Sequence, residues 1–461
     1  MVKPQPRDRV KVICKEKGSK DKEYEGILMP NEETDNVIIK LDTGYNIGID
    51  RLKVKSIKLI DVDSSKLKSM KISNHNVSKK SISKKYKSDK NKPTIAILHT
   101  GGTIASKVDY KSGAVSASFT VEDTLQMFPE LKDIANIKTN LISNMMSEDM
   151  RFMHYQKIAH AIVDEIEGKG NSSKGDGNID GIIIGHGTDT LAVTAAALAF
   201  MFEKLPIPVI LVGSQRSTDR GSTDGAMNLI CAAEFIAKIA SEPNLNFAGV
   251  AICMHENSED DNCLILPATK SRKMHTTRRD AFKSIDTSPI AKINYKTKNI
   301  VFLNKDHINK NQKLDLILKD KFEDKVGILR TYPNMNREII DVFTKNNYKG
   351  LVLEATGLGQ APTNIKENLP NYEALKSFIK NGGVVVLTSQ CIFGRVHPDV
   401  YTNCRRLKDI GIIFGEDMIT ETAHVKLAWL LGNYKTEDVK KLITQDLRGE
   451  ISERTGTDFL D

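Results

Sequence analysis

The chain has no apolar run approaching the roughly 18–20 residues needed to cross a bilayer, so no membrane span is expected. Its opening residues, M-V-K-P-Q-P-R-D-R, lack the hydrophobic core of an export signal. Six cysteines (Cys14, Cys231, Cys253, Cys263, Cys391 and Cys404) are scattered, with no C-x-x-C pair and no zinc-ligand spacing. These absences argue against an exported, disulfide-stapled or zinc-built protein; reduced thiols in the cytoplasm are the expectation. The glycine-rich run at 97–106 lacks the G-K-[ST] ending of a nucleotide P-loop and the third glycine of a dinucleotide fingerprint.

What is present fits a soluble globular protein. With 461 residues, 40% hydrophobic and 27% charged, the chain has core enough for two or three domains. Its net charge of +8 is concentrated in one place. Residues 66–92 hold ten lysines and the single acidic Asp89, a local +9 that leaves the rest of the chain near −1. Rich in Lys, Ser and Asn, this stretch reads as a linker over 61–92. Its lysines could add weak, salt-sensitive attraction to a polyanion such as RNA, although a solvated, self-repelling tether is the simpler reading.

Before the linker, residues 8–60 alternate apolar and polar side chains in short runs: V-K-V-I-C-K at 10–15, E-Y-E-G-I-L-M-P at 23–30 and N-V-I-I-K-L-D at 36–42. The last continues through Asp42-Thr43-Gly44 into Y-N-I-G-I-D, a hairpin signal. A small SH3-like β-barrel over 1–60 follows, without an aromatic array for stacking RNA bases. From Pro93 the pattern becomes strand–helix alternation, which predicts an α/β fold with a mostly parallel sheet. A β-rich stretch near 262–304 interrupts it. The expected organisation is a large lobe over 93–290, a smaller α/β lobe over 320–434, and a C-terminal helix and tail over 435–461.

Two runs in the α/β part carry the chemistry: I-L-H-T-G-G-T-I-A-S at 97–106 and I-I-I-G-H-G-T-D-T at 182–190. Each is a β-branched strand that breaks into glycines and then presents a threonine. Ligands of α/β sheets bind at that carboxyl end of the strands. Gly101, Gly102, Gly185 and Gly187 are expected to let the backbone turn sharply. Thr103 and Thr188 would then share one cleft, with Asp189 beside the second. A threonine hydroxyl is a poor nucleophile without a base, and a neutral lysine serves better than a carboxylate. Lys270 and Lys273, in P-A-T-K-S-R-K-M-H, both fit that need. His186 could be a catalytic base or a buried hydrogen-bonding spacer. Metal-free amide or ester chemistry is what these residues leave open.

H-T-G-G-T-I-A and G-H-G-T-D-T, in this order and spacing, resemble the two threonine motifs of the L-asparaginase/glutaminase amidohydrolase family. V-G-S-Q-R-S-T-D-R-G-S-T-D-G-A-M-N-L and G-L-V-L-E-A-T-G-L-G-Q-A-P extend the similarity, which covers about 93–430. The family's lysine lies upstream of an A-F-K-S-like run, here 281–284, so the resemblance selects Lys273 over Lys270. It implies Thr103, Thr188, Asp189 and Lys273 as the catalytic set. S-E-D-M at 147–150 corresponds to the family's substrate loop and implies Ser147 and Glu148 as binding residues, Glu148 standing where glutamine is usual. Gln360 stands where asparagine is common, and Tyr110 is the nearest match to the family's mobile-loop tyrosine.

The N-terminal β-barrel and T-S-Q-C-I-F-G-R-V-H-P-D-V-Y at 388–401 narrow the resemblance to the D subunits of archaeal glutamyl-tRNA(Gln) amidotransferases. That resemblance implies a glutaminase supplying ammonia to an E subunit, a homodimer within a heterotetramer, no cofactor on this chain, and ATP and magnesium on the partner. Glu-tRNA(Gln) would be held mainly by the partner. A free-standing asparaginase or glutaminase would use the same site. A non-catalytic RNA- or protein-binding module would require the threonine motifs to be structural turns.

Overall fold

In the first sixty residues apolar side chains recur at every second position, which puts them on one face of each extended strand. The structure, a computed structural model, describes residues 4, 8–15, 21–28, 36–41, 46–60, 88–101, 106–108, 115–117, 121–170, 179–216, 223–242, 247–304 and 315–455. The chain divides into two compact units. One comprises Met1–Ser88 with Ser106–Ser118 and Asp219–Gly221; the other comprises Asp89–Ala105, Phe119–Thr218 and Ser222–Asp461.

The first unit contains five antiparallel strands: β1 (Arg9–Cys14), β2 (Lys22–Leu28), β3 (Asn36–Leu41), β4 (Asn46–Asp50) and β5 (Val54–Leu59). They lie in the order β4-β3-β2-β1-β5, so the first strand is held between two others. Val10, Val12 and Cys14 alternate into a core shared with Val37, Ile39 and Ile49. β3 and β4 pair from Asn36↔Asp50 to Lys40↔Asn46, as the hairpin signal predicts. The Asp42-Thr43-Gly44 turn itself lies outside the described residues. The Asp50 carboxylate accepts a 2.9 Å hydrogen bond from the Leu52 N–H and caps the short turn into β5. A small separate hairpin pairs 106–108 with 115–117.

The second unit is built on an eight-stranded sheet: β6 (Thr94–His99), β7 (Asn136–Leu141), β8 (Gly181–Gly185), β9 (Pro208–Val212), β10 (Gly249–His255), β11 (Asn262–Pro267), then β14 (Ala291–Asn294) and β15 (Ile300–Phe302). Between β11 and β14, β12 (Ser271–Lys273) and β13 (Phe282–Ser284) form a hairpin of their own. The large sheet runs β15-β14-β11-β10-β9-β8-β6-β7. β10, β9, β8, β6 and β7 are parallel; β11, β14 and β15 continue it antiparallel. Buried from both faces, the central parallel strands are apolar throughout, as in I-I-I at 182–184.

Four more parallel strands, β16 (Val326–Arg330), β17 (Gly350–Ala355), β18 (Val384–Ser389) and β19 (Ile413–Phe414), form a second sheet. Helices α1 (Phe152–Ile166), α2 (Leu191–Met201), α3 (Gly225–Ser241) and α4 (Thr420–Asn433) pack on the sheets and on one another. α2 is apolar on nearly every side because it lies between the large sheet and α4, where Phe200 stacks on Trp429 at 5.8 Å. α4 also packs on β17, so one continuous core joins both sheets.

Lys426 and Glu450 form a fully buried ion pair in this core at 2.5 Å, and the same ammonium donates to the Ile443 and Gln445 carbonyls. Replacing Lys426 with methionine strands a buried carboxylate, and about 3–5 kcal/mol of unfolding free energy is the expected loss. Urea melts measure it, and a loss below about 1 kcal/mol would refute the role. His99 and His186, at the ends of β6 and β8, are also buried, and burial pushes both down to about 4. An unfolded histidine titrates near 6.5, so between about pH 6.5 and 4 the unfolded chain binds protons that the folded chain refuses. Their contribution is complete above about pH 6.5 and falls as pH drops toward 4, by about 3 kcal/mol for each. Urea melts at about pH 7 and pH 4.5 should show a shallower pH dependence for His186→Asn than for the wild type. An identical slope would remove His186 from this account.

Candidate active site

The carboxyl ends of β6 and β8 are tied together: the Thr100 N–H and Oγ1 both donate to the Gly185 carbonyl at 3.0 Å. The loop after β7 folds back onto this edge, its Met145 N–H donating to the Thr100 carbonyl at 3.1 Å. Gly101 has φ of +115°, and a Cβ there would lie 2.4 Å from the Met145 carbonyl oxygen. That residue is glycine for both conformation and space. Gly185 and Gly187 take no left-handed φ. Gly187 is required for clearance: a Cβ would lie 2.8 Å from the Cβ and Oγ of Ser147. The contact is fastened by Thr190 Oγ1, which donates to the Ser147 carbonyl at 2.6 Å.

Thr188 stands in the short turn between β8 and α2, half-buried. Its methyl group occupies the space that a side chain at Gly213 would take, 2.8 Å from that position. Beside Gly213, Asp224 holds the following loop by accepting from Ser214 Oγ and from the N–H groups of Gln215 and Arg216. Lys273, the last residue of β12, donates from Nζ to Thr188 Oγ1 and to Asp189 Oδ1, each at 2.9 Å. The lysine side chain is 16% exposed and that of Asp189 66%. Lys270 turns elsewhere, into a buried pair with Asp417 at 2.5 Å. Of the two lysines left open by composition, Lys273 therefore meets the threonine.

The direction of these bonds has chemical content. An ammonium can only donate, so the Thr188 oxygen accepts from Lys273 and its own hydroxyl hydrogen is directed elsewhere. A charged donor on the oxygen makes that hydroxyl a better acid, and a neutral amine at the same distance could take its proton. His186 has neither role. Its Nδ1 lies 2.7 Å from the Gly187 carbonyl, which can only accept, so Nδ1 carries the hydrogen. Nε2 therefore accepts from Thr194 Oγ1 at 2.9 Å, and burial keeps the ring neutral. It is the spacer of the two readings.

Ser147 is buried under the Gly187 turn, and Glu148 is exposed on the next position of the same 3₁₀ turn. Gln360 closes a tight turn after β17, its carbonyl accepting from Thr356 Oγ1 at 2.9 Å. No hydrogen bond links it to Thr188 or Lys273 among the described residues. Thr103 and Tyr110 lie outside the described residues. Thr190, Gly213 and Asp224 also shape the site; all three lie inside the quoted motifs, but sequence reasoning gave none of them a role. The aspartate one residue before α3 is their most legible signal. Among the described residues, no group of three or more His, Cys, Asp or Glu side chains could hold a metal ion.

Comparison with known proteins shows the family. The "Asparaginase, N-terminal" family model matches residues 94–308, and "Glutaminase/Asparaginase C-terminal domain" matches 325–443. "GatD N-terminal domain" matches residues 5–60. Among solved structures, the thermostable L-asparaginase from Thermococcus kodakarensis aligns with a TM-score of 0.67 and 29% identity, covering 78% of this chain and 99% of that one. L-asparaginase I from Vibrio cholerae gives 0.64 and 29%, with the same coverage. The D subunit of the glutamyl-tRNA(Gln) amidotransferase of Pyrococcus furiosus is 42% identical over 97% of this chain and 95% of its own length. Its counterpart from Methanococcus maripaludis is 41% identical over 93% of this chain and 95% of its own. The chain belongs to the family of glutamyl-tRNA(Gln) amidotransferase D subunits.

Proposed function

We propose that this chain is the glutaminase of a tRNA-dependent amidotransferase. It hydrolyses the side-chain amide of glutamine to glutamate and ammonia, and a partner E subunit uses the ammonia to convert Glu-tRNA(Gln) to Gln-tRNA(Gln). The observation that carries the reading is the Lys273 ammonium shared between Thr188 and Asp189 at 2.9 Å. That arrangement supplies a proton relay at a hydroxyl, which amide hydrolysis requires and a structural turn does not.

In the proposed sequence the reacting form carries Lys273 as the neutral amine: Thr103 attacks the amide carbon, its proton passes to Thr188 and the Thr188 proton to that amine, which becomes the ammonium. Backbone N–H groups of the glycine turns stabilise the oxyanion, each worth about 3–4 kcal/mol. The relay then protonates the departing nitrogen, releasing ammonia and leaving an acyl ester on Thr103. Water, activated by the same pair, hydrolyses the ester to glutamate and restores the hydroxyl. Asp189 keeps the lysine oriented throughout. Ser147, Glu148, Tyr110 and Gln360 are proposed to hold the amino-acid end of the substrate. Nothing in these steps needs a cofactor on this chain; ATP and magnesium would serve the partner's activation of the glutamate. A cytoplasmic heterotetramer containing a homodimer of this chain completes the proposal.

A free-standing asparaginase would use the same relay, but the N-terminal β unit favours the first reading. The L-asparaginase structures cover 78% of the chain, whereas the amidotransferase relatives match 93–97% of it.

Two experiments test these assignments. Thr188→Val retains the methyl group against Gly213 while removing the hydroxyl, and Thr103→Val removes the other alcohol. Each should lower kcat for glutamine by about 10²- to 10⁴-fold with little change in melting temperature. Undiminished hydrolysis in both would end the threonine mechanism. Glutaminase activity should also rise strongly when the E subunit and Glu-tRNA(Gln) are added. Full activity on free asparagine without either would favour the stand-alone enzyme.

A further inference from the structure

The Lys273 ammonium stands at one end of a very short support. Among the described residues, β12 and β13 pair only with each other and join neither sheet, so sheet register does not set their position. Lys273 pairs with Phe282 at the end of this hairpin, and residues 274–278 beyond it are largely exposed. Three residues of strand make a lever about 10 Å long. A tilt of ~10° at its base would move the tip by about 2 Å, enough to break a hydrogen bond at Thr188.

The base of the lever is clamped by buried charges. At the start of β12, Lys270 is 1% exposed and donates to Asp417 Oδ2 at 2.5 Å and to Ser452 Oγ at 2.8 Å. The Lys270 carbonyl accepts from the Ile285 N–H at 2.8 Å, tying it to the end of β13. One residue further, the Asp286 carbonyl accepts from Ser452 Oγ at 3.3 Å, and its carboxylate accepts from the Gly394 N–H at 2.9 Å. Asp286 takes a left-handed φ of +52°, uncommon for a residue with a side chain although aspartate is among those that adopt it most readily. Asp417 also accepts from the Ser452 N–H at 3.0 Å, and Arg395 donates to the Ser452 carbonyl at 2.6 Å. Gly394 and Arg395 come from the T-S-Q-C-I-F-G-R motif, which the proposed chemistry leaves without a role. Arg272 pairs with Glu421 as well, but both side chains are 32% exposed, and such pairs hold geometry weakly.

We infer that Lys270, with Asp417 and Ser452, is a positioning residue for the proposed reaction: this buried node fixes the base of the β12–β13 hairpin and so places Lys273 against Thr188. The inference rests on the glutaminase reading for its kinetic test, and on geometry alone for its structural one. The ion pair demands one arrangement of its partners, because a displaced buried ammonium loses both acceptors together. An apolar contact at the same place would tolerate sliding.

The test is a full-length Lys270→Met/Asp417→Leu double variant, which removes both charges and leaves neither stranded. Folding is monitored by melting temperature. At saturating glutamine its kcat should fall about 10- to 100-fold, with KM within about threefold of the wild type. A crystal structure of the variant should show Lys273 Nζ more than about 3.5 Å from Thr188 Oγ1. A folded variant with a kcat within about twofold of the wild type, or with Lys273 unmoved, overturns the inference. If the double variant does not fold, Ser452→Ala removes one link without stranding a charge and should lower kcat roughly three- to tenfold; an unchanged kcat there also overturns it. A wild-type chain inactive on glutamine even with the E subunit and Glu-tRNA(Gln) present would refute the glutaminase reading instead, and the crystallographic distance would still decide this one.

Discussion

Crowding at the carboxyl edge of the parallel strands is the constraint on which the site depends. The ends of β6 and β8, the loop after β7 and the loop after β9 converge so closely that side chains at Gly101, Gly187 and Gly213 would come within 2.4–2.8 Å of their neighbours. Segments packed so closely that a Cβ finds no room shift only with difficulty, so Thr188 has little freedom of position. Its hydroxyl is presented by the shape of the loops, and Thr190 fastens two of them through the Ser147 carbonyl. An alcohol held in this way needs no reorganisation before it reacts, which is how a fixed scaffold lowers a barrier.

The electrostatics of the edge complement its geometry. His186 and His99 are buried at the strand ends that carry the threonine motifs, and both are held neutral by the cost of burying charge. A protonated imidazole beside Thr188 would repel the Lys273 ammonium and compete with it for Asp189. Keeping the histidines uncharged leaves Lys273 to determine the protonation of Thr188. The exposed Asp189 carboxylate meanwhile gives the ammonium a partner without a large desolvation penalty.

What can be read from the sequence follows from how local each feature is. The parallel strands announce themselves through unbroken β-branched runs, and Thr188 and Asp189 are adjacent, so one motif carries both. Lys273 lies 85 residues away, and no periodicity relates it to Thr188. Lys270 offers the same chemistry three positions earlier, and its Asp417 partner is 147 residues distant. Only the family resemblance separates the two lysines without a structure. At 187 the sequence locates the glycine but not the neighbour that it must clear. A left-handed turn is a property of the residue itself, whereas clearance at Gly187 depends on Ser147, forty residues earlier. The largely apolar α2 is similar, since its sequence shows burial but not that α4 covers its second face.

Lys426–Glu450 and Lys270–Asp417 are each almost wholly removed from water, and such pairs contribute little net stability relative to well-packed apolar side chains. What they impose is geometry. Lys426 holds the carbonyls at 443 and 445, and Lys270 holds Ser452, so the tail over 443–452 is fixed by ammonium groups at two places. Thr269 adds a third link through the Arg448 carbonyl. The hairpin bearing Lys273 is thus referenced to α4, to the loop after β18 and to the tail, none of which contributes a side chain to the proposed proton relay. A relay that tolerates little displacement gains more from such exacting supports than from a slightly more stable but less specific core.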